Sequence, residues 1–325
     1  MQSRNRDGML RGVTPANLTP PSKALRASAF LLLATVFWGL SFLTMKSLGM
    51  AQQKILPDVN SWFFAALSLV IRFGGAALIL LLFSLRTWRH TTRREWEQGV
   101  GLGLVGGVGL LFQMDAVNHT EASTVAFLTQ CTCLFVPIFV ALQTRRWPRK
   151  WLVLNLILVM IGAAILSQIN WRHLTLGRGE WETLVASVFF TAQILWLERP
   201  KFSGNNMNHV TIIMFALNLL SVLPVFFAVK PPWPDVLAAC QPTPILIFYG
   251  ILTVLCTLVA YTLMNYWQPQ TEASRAGLIY CAEPMFASVF ALFLPAIFSR
   301  FADIRYDNET ITRHLLIGGG LIMVA

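Results

Sequence analysis

The sequence predicts an all-α integral membrane protein in which ten transmembrane helices form two inverted five-helix repeats. Three observations predict this fold class: a scarcity of charge, ten long apolar runs and an internal repeat. Only 12% of the 325 residues are charged, 55% are hydrophobic, and the mean hydropathy is +0.60. A soluble domain carries about 25% charged residues. The chain therefore lacks the polar surface that water requires, whereas lipid can contact apolar side chains around a whole helical bundle.

Ten apolar runs are the candidate transmembrane helices, because a helix needs about 20 mostly apolar residues to cross a bilayer. The runs cover residues 27–48, 61–85, 99–117, 121–142, 151–169, 181–197, 210–229, 243–267, 274–297 and 312–325. The tenth run is shorter than a full span. We therefore expect either a shallow tenth helix or a chain that has been trimmed within it.

The 26 residues before the first run are polar, include a Thr-Pro-Pro stretch and carry five basic side chains. This composition predicts a disordered cytoplasmic tail. A cleaved signal peptide is not expected, because the first run is too long for the apolar region of such a peptide and no small-residue cleavage site follows it.

The distribution of basic residues predicts the orientation of the chain. The net charge is +10, and the Lys and Arg residues cluster in the tail and in the loops after runs two and four. Because basic loops remain on the cytoplasmic side, we expect both termini in the cytoplasm and the chain in the inner or plasma membrane. This signal is strong in the first half and weak in the second. Since the basic segments suit an anionic membrane surface, nucleic acid is not expected as a partner.

The tetrapeptide Thr-Glu-Ala-Ser begins the fourth run at residues 120–123 and the ninth at residues 271–274. The same offset of 151 residues pairs two phenylalanines in each half: Phe135 with Phe286, and Phe139 with Phe290. We therefore predict a duplicated five-helix unit, with residues 27–169 as the first copy and 170–325 as the second. Because five is odd, the second copy is inverted in the membrane, and such repeats place a binding site near the midplane between them.

Several short motifs occur in order along both halves. They are Phe-Trp-Gly-Leu-Ser-Phe-Leu-Thr-Met-Lys (37–46), Ile-Arg-Phe (71–73), Arg-Arg-Trp-Pro (145–148), Gln-Ile-Leu-Trp-Leu-Glu-Arg (193–199), Cys-Ala-Glu-Pro-Met-Phe-Ala (281–287) and Leu-Ile-Gly-Gly-Gly-Leu-Ile (316–322). Together they resemble the EamA-type permeases of the drug/metabolite transporter superfamily. The resemblance implies a secondary transporter for a small organic metabolite, such as an amino acid or another neutral or amphipathic solute, and export rather than uptake. The Leu-Gly-Glu that often follows the fourth and ninth helices of the family is absent here.

Two ionisable residues, Arg72 and Glu283, lie well within the predicted spans, where a charge is costly and is a functional candidate by default. Arg72 could anchor an anionic group of a substrate, or it could be a structural strut that keeps its charge by pairing. Glu283 precedes Pro284, whose ring has no N–H and therefore leaves the backbone carbonyl one turn earlier without its hydrogen-bond donor. It could exchange a proton during transport, bridge the broken helix as a neutral carboxyl group, or pair with Arg72. Tyr280 lies on the same helical face and joins this group.

A polar stripe on run eight must face protein or water rather than lipid. Its members recur every four residues: Thr253, Thr257, Tyr261 and Asn265, followed by Gln268. For the threonines, interhelical hydrogen bonding is the favoured interpretation. Tyr261, Asn265 and Gln268 are the stronger candidates for the cavity.

The first repeat supplies an aromatic side chain and neighbouring polar groups that could hold a neutral or zwitterionic solute. These candidates are Trp38, Ser41, Gln113 and Gln130, and Gln193 of run six is a weaker member of the set. Each of them alone could equally be a packing residue.

Small residues on the predicted helices are interpreted as packing residues. Run three carries six glycines, including a small-xxx-small pair at Gly103 and Gly107, which lets helices approach closely. The four cysteines in apolar runs, Cys131, Cys133, Cys256 and Cys281, have no evident partner in the sequence. We therefore interpret them as small apolar side chains.

Other functional classes lack their motifs. No His-Glu-x-x-His is present, and the six aspartates are assigned to loops or tails, which argues against an intramembrane protease. No nucleotide-binding motif predicts ATP-driven pumping. An intramembrane enzyme and a channel or receptor remain the alternatives to a carrier. No cofactor is expected; the expected partners are a small-molecule substrate, membrane lipid and coupling protons, for a monomer or homodimer.

Overall fold

The computed structural model describes residues 21–120, 122–145, 147, 150–166, 177–311 and 313–324. Over these residues the ordered elements are helices and no β-strand is present, which confirms the predicted all-α class. Most of the predicted N-terminal tail and the end of the fifth predicted run lie outside the described residues.

Six α-helices lie among the described residues of the first half. They are α1 (Pro21–Ile55), α2 (Ser61–Trp88), α3 (Arg93–His119), α4 (Ala122–Thr129), α5 (Cys131–Thr144) and α6 (Lys150–Leu166). The residues at the start of α3 explain why the helix begins there. Thr92 and Glu95 form a reciprocal capping box that satisfies the first free backbone N–H groups. Helix α1 begins at Pro21, ahead of the predicted start at residue 27.

The second half contains nine further α-helices. They are α7 (Arg178–Leu197), α8 (Met207–Val229), α9 (Trp233–Ala238), α10 (Thr243–Thr253), α11 (Ala260–Trp267), α12 (Ala273–Tyr280), α13 (Glu283–Ala291), α14 (Leu294–Ala302) and α15 (Arg313–Val324). A π-helical segment, Val254–Val259, joins α10 to α11. Such segments bend a helix and occur mostly at functional sites.

Six helical stretches of the described chain are long and apolar enough to cross a membrane. They are α1, α2, α3, α4 with α5, α8, and α10 with α11. A seventh is added if α12 and α13 count as one span with α14, which is bent from them by 59°. Helices α6, α7 and α15 coincide with predicted runs but fall outside this set, so the number ten stays a prediction.

The glycines of α3 bring this helix against α8 and α7. A Cβ atom at Gly103 would lie 2.5 Å from the Cβ of Leu217, and one at Gly101 would lie 2.3 Å from the indole of Trp196. Real Cβ atoms do not approach so closely, so glycine is required for these contacts. The prediction that the glycines serve helix packing is confirmed.

Helices break at equivalent positions in the two halves. Helix α4 ends at Thr129 and α12 ends at Tyr280, and these residues are separated by the same 151 positions as the Thr-Glu-Ala-Ser motifs. In the second half Pro284 lies in the first turn of α13, where a missing N–H costs nothing. The break that was expected at Pro284 is therefore present.

Two expectations about buried polar residues are wrong. Cys133 and Cys281 form a disulfide between α5 and the end of α12, so they are not the unpartnered apolar residues that we inferred. Asp115 lies inside α3 and is fully buried, so the six aspartates are not confined to loops and tails. The two errors have different causes. The two cysteines are distant in sequence and meet only through tertiary packing, whereas Asp115 already lies within the third predicted run, residues 99–117.

Candidate functional site

A cavity lies among α1, α2, α3, the α4–α5 break, α7, α11 and the α12–α13 break. Nine of the predicted site residues line it: Trp38, Ser41, Arg72, Gln113, Gln130, Gln193, Tyr261, Tyr280 and Glu283. The fold therefore brings together residues that are up to 245 positions apart in the sequence, counted from Trp38 to Glu283.

Arg72 is 2% exposed and reaches the cavity from the middle of α2. Its Nε donates to Thr257 Oγ1 at 3.1 Å, and its Nη1 contacts the sulfur atoms of Met45 and Met114 at 3.3 and 3.7 Å. No carboxylate of the described chain forms an ion pair with it. Because thioether sulfur is a weak acceptor, the guanidinium retains the capacity to bind an oxygen-bearing group. The pairing of Arg72 with Glu283 that the sequence left open does not occur here.

Three aromatic side chains form one wall of the cavity. The ring centroid of Trp38 lies 5.4 Å from that of Tyr261 and 5.3 Å from that of Tyr280. Indole and phenol faces at this spacing can contact an apolar group or a cation. The Nε1 atom of Trp38 is buried and has no hydrogen-bond partner, so this wall also offers a free donor.

Glu283 faces the aromatic wall from the start of α13. Its Oε2 accepts a hydrogen bond from Gln130 Nε2 at 3.3 Å, which joins the two helix breaks across the cavity. Gln113 donates to Thr129 Oγ1 at 3.1 Å beside the first break. The cavity thus contains one guanidinium, one carboxyl group and several amides between aromatic surfaces.

Asn265 and Gln268 were predicted to face the cavity, but they lie away from its wall. Each four-residue step along the stripe turns the helix by about 40°, so Asn265 faces α8 and donates to Thr211 Oγ1 at 2.9 Å. Gln268 lies behind Tyr280, whose hydroxyl donates to Gln268 Oε1 at 2.8 Å.

The contacts of Gln268 extend the polar network to Glu198, which follows α7. Gln268 Nε2 donates to Glu198 Oε1 at 3.0 Å. Burial raises the pKa of Glu198 to about 8, against the opposing effects of hydrogen bonds from Gln268 and the backbone of Ala273. Glu198 lies in one of the motifs, yet no sequence rule pointed to its titration.

Sequence reasoning missed several apolar or weakly polar wall residues. Among them are Phe42, Met45, Leu110, Thr132, Cys133, Phe190 and Met264. A usable signal existed for Met45, because Trp38, Ser41 and Met45 share one face of α1 at helical spacing. Phe190 is likewise three residues before Gln193. The others carry no polar marker that distinguishes them from packing residues.

The geometry of the cavity suits the binding of a small molecule. Within the described ranges, no group of three or more His, Cys, Asp or Glu side chains is arranged to hold a metal ion. The polar groups of the cavity are donors and acceptors placed around a concave, mostly apolar volume, which is the general form of a small-molecule site.

Residues 25–168 match the EamA-like transporter family. The chain is 26% identical, over 271 residues, to an uncharacterised transporter of Archaeoglobus fulgidus, covering 83% of this chain and 78% of that protein. A protein of known crystal structure has the same fold with a TM-score of 0.66 and 17% identity, covering 92% of this chain and 94% of the other. These likenesses point to a membrane transporter rather than an enzyme. The family match over residues 25–168 and the archaeal relative support an EamA-type permease of the drug/metabolite transporter superfamily.

Proposed function

We propose that the protein exports a small zwitterionic or neutral metabolite, such as an amino acid, by alternating access at the cavity. The observation that carries this proposal is Arg72, a buried guanidinium with free hydrogen-bonding capacity that has no carboxylate partner among the described residues. A carboxylate is the natural ligand of such a group, because its two oxygens match the planar guanidinium.

The other walls suit the rest of an amino acid. Glu283 can accept a hydrogen bond from an ammonium group, and Trp38 and Tyr261 can contact an apolar or aromatic side chain. A phosphate ester would require more cationic groups than Arg72 alone provides.

The alternating mechanism is supported by features of both halves. The family match at residues 25–168 coincides with the first predicted five-helix unit. The helix breaks at Thr129 and Tyr280 are related by the offset of the repeated motif, and both border the cavity. Two inverted units that rock about a shared midplane site would open it to each side in turn. In this arrangement ten helices cross the membrane and both termini are cytoplasmic.

Counterflow in proteoliposomes tests the carrier. Vesicles loaded with one amino acid at a time should accumulate the same labelled amino acid, and the rate should saturate with external concentration. Arg72→Gln should abolish this signal, while a substitution on the lipid-facing surface, Leu82→Ala, should leave it intact. A conductance that never saturates would instead identify a channel.

Proton coupling assigns a second role to Glu283. A carboxyl group that takes up and releases a proton in each cycle is required for net transport against a gradient, whereas exchange returns the carrier in the loaded state. Glu283→Gln should therefore eliminate net proton-driven transport and spare exchange. If the pH dependence of net transport in Glu283→Gln equals that of the wild type, Glu283 has no part in coupling.

A further inference from the structure

A polar cluster outside the cavity joins the end of α3 to the start of α7. Asp115 is 0% exposed and Glu182 is 8% exposed. The guanidinium of Arg178 connects them: its Nε donates to Glu182 Oε1 at 2.7 Å and its Nη2 forms an ion pair with Asp115 Oδ2. Gln113, two residues from Asp115, lies on the opposite face of α3 and lines the cavity. The cluster is therefore a separate site.

Each carboxyl group of this cluster has one oxygen atom without a donor. Asp115 Oδ1 and Glu182 Oε2 are buried and have no hydrogen-bond partner. The guanidinium of Arg178 binds one oxygen of each carboxyl group, which places the two groups side by side. A buried acceptor without a donor is costly, and two ionised carboxylates in contact repel each other.

The surrounding charges do not remove this conflict. The groups that face the cluster are Arg178 and Glu180 from α7, His119 from α3, and Lys46 from α1. Lys46 Nζ donates to the carbonyl groups of Val117 and Thr120 at 2.8 and 3.2 Å. His119 Nε2 lies 3.3 Å from Asp115 Oδ2, which is the oxygen that Arg178 already binds. None of these contacts reaches the two orphaned oxygens.

We propose that Asp115 and Glu182 share one exchangeable proton. The proton is bonded to one carboxyl group and donated to the other, so it removes one of the two negative charges that meet at Arg178. Its source and its acceptor on release are water at the exposed side of Arg178, whose side chain is 45% exposed. A proton fits better than a metal cation, because the guanidinium of Arg178 already occupies the charge-compensating position between the two carboxyl groups.

This inference goes beyond the proposed function, because a proton site can be tested without any substrate. It predicts a second protonation site apart from Glu283, at the contact of α3 with α7. Release of the proton leaves two like charges across this contact and so loosens it.

Infrared difference spectroscopy of the purified full-length protein tests the site directly, because a protonated carboxyl group has its own carbonyl band. Compared with wild type at neutral pH, Asp115→Asn and Glu182→Gln should each lose the band of one protonated carboxyl group. The double variant should lose no more than either single variant, since the two residues share one proton. Either single variant suffices if the other fails to fold.

Two matched variants and one salt comparison distinguish the shared proton from a protonated histidine and from a bound sodium ion. Glu180→Gln removes a neighbouring carboxylate of the same helix and should leave the band intact. His119→Gln should also leave it intact. Absence of the band in the wild type would place the proton on a group without a carbonyl, such as the imidazole of His119, and would overturn the proposal. The proposal is equally overturned if Asp115→Asn and Glu182→Gln both retain the band, or if sodium chloride removes the band where choline chloride does not.

Discussion

At the scale of single residues, Arg72 is in energetic conflict with its surroundings. Its guanidinium is 2% exposed. In place of water it contacts one hydroxyl group and two thioether sulfurs. Removing a charge from water without a charged partner is expensive. A bound anion would offset this cost, so the cavity is expected to bind a carboxylate with a gain that a neutral analogue cannot obtain.

Substitution of Arg72 should therefore discriminate between solutes. Arg72→Gln should weaken binding of a zwitterionic amino acid by about tenfold or more, the usual effect of losing a charge-assisted hydrogen bond. Binding of the corresponding decarboxylated amine should change far less. Competition against labelled substrate measures both affinities.

A control for Arg72 is available at its hydrogen-bond partner. Thr257→Val removes the acceptor of Nε but leaves the positive charge, so the preference for the zwitterion should persist. Equal losses for the amino acid and the amine in Arg72→Gln would mean that Arg72 is a structural strut.

Glu198 provides a prediction about pH. Its pKa in the folded protein is about 8, above the ordinary value of 4.5, because of burial. A carboxyl group with a raised pKa stabilises the folded protein. This stabilisation is complete when the pH is below the ordinary pKa of 4.5, and it is lost as the pH rises through about 8. The unfolding temperature of the wild type should therefore fall by about 2 °C or more as the pH rises from 4.5 to about 8, and the fall should end above that value.

Two variants distinguish the effect of Glu198 on the pH dependence of unfolding from that of other carboxylates. Glu198→Gln should flatten the pH dependence in this window. Glu97→Gln alters an exposed carboxylate of α3 that pairs with Lys201, and it should retain the wild-type slope. Thermal unfolding of the purified protein in detergent measures all three; identical slopes would contradict the assignment.

At the scale of elements, the close packing of α3 against α8 determines how the first half of the chain meets the second. A methyl group at Gly103 would contact the Cβ of Leu217 at 2.5 Å and the carbonyl oxygen of Met214 at 2.7 Å. The second contact is to backbone, which cannot move aside as a flexible side chain can. Alanine also gains about 0.5–1 kcal/mol of helix propensity over glycine, but the overpacking should cost about 1–3 kcal/mol.

Gly103→Ala should therefore lower the unfolding temperature despite the better helix former. Gly250 of α10 is the matched control, since a Cβ there would have nothing within 4 Å. Gly250→Ala should leave the unfolding temperature unchanged or raise it. If both substitutions have the same effect, α3 and α8 are not held at the distance seen here.

The elements also explain how much the sequence could predict. Apolar length and proline positions depend on local chemistry, so the helices and the break at Pro284 were predictable. The point at which the polar stripe leaves the cavity was not: Tyr261 lines the cavity, whereas Asn265, one turn later, faces α8. Contacts such as Cys133 with Cys281, or Asp115 with Arg178, depend on tertiary neighbours that no spacing rule identifies.

The residues of the candidate site also divide into those that the sequence could identify and those that it could not. Polar side chains within apolar runs were identifiable, because each must face protein or water, and nine of them line the cavity. Apolar wall residues such as Leu110 and Met264 carry no such marker. Glu182 was overlooked because it lies one residue inside the predicted sixth run, where a charge is usually interpreted as a helix end.

At the scale of the whole molecule, the proposed mechanism requires the two halves to have opposite orientations. The paired Thr-Glu-Ala-Ser motifs allow a direct test, because Thr120 and Thr271 occupy equivalent positions in the repeat. Both are partly buried, and each precedes a helix that ends at a break beside the cavity. In inverted repeats one threonine lies at the outer surface and the other at the cytoplasmic surface. In parallel repeats both lie on the same side.

Single cysteines at these two positions, in a chain whose natural cysteines are replaced by serine, measure the orientation. A membrane-impermeant thiol reagent applied to intact cells should label Thr120→Cys and not Thr271→Cys, because the basic tail and loops keep the N-terminus inside. Permeabilised cells should label both, which controls for burial. Labelling of both variants in intact cells, or of neither, would rule out inversion of the second half and with it the alternating mechanism proposed for the cavity.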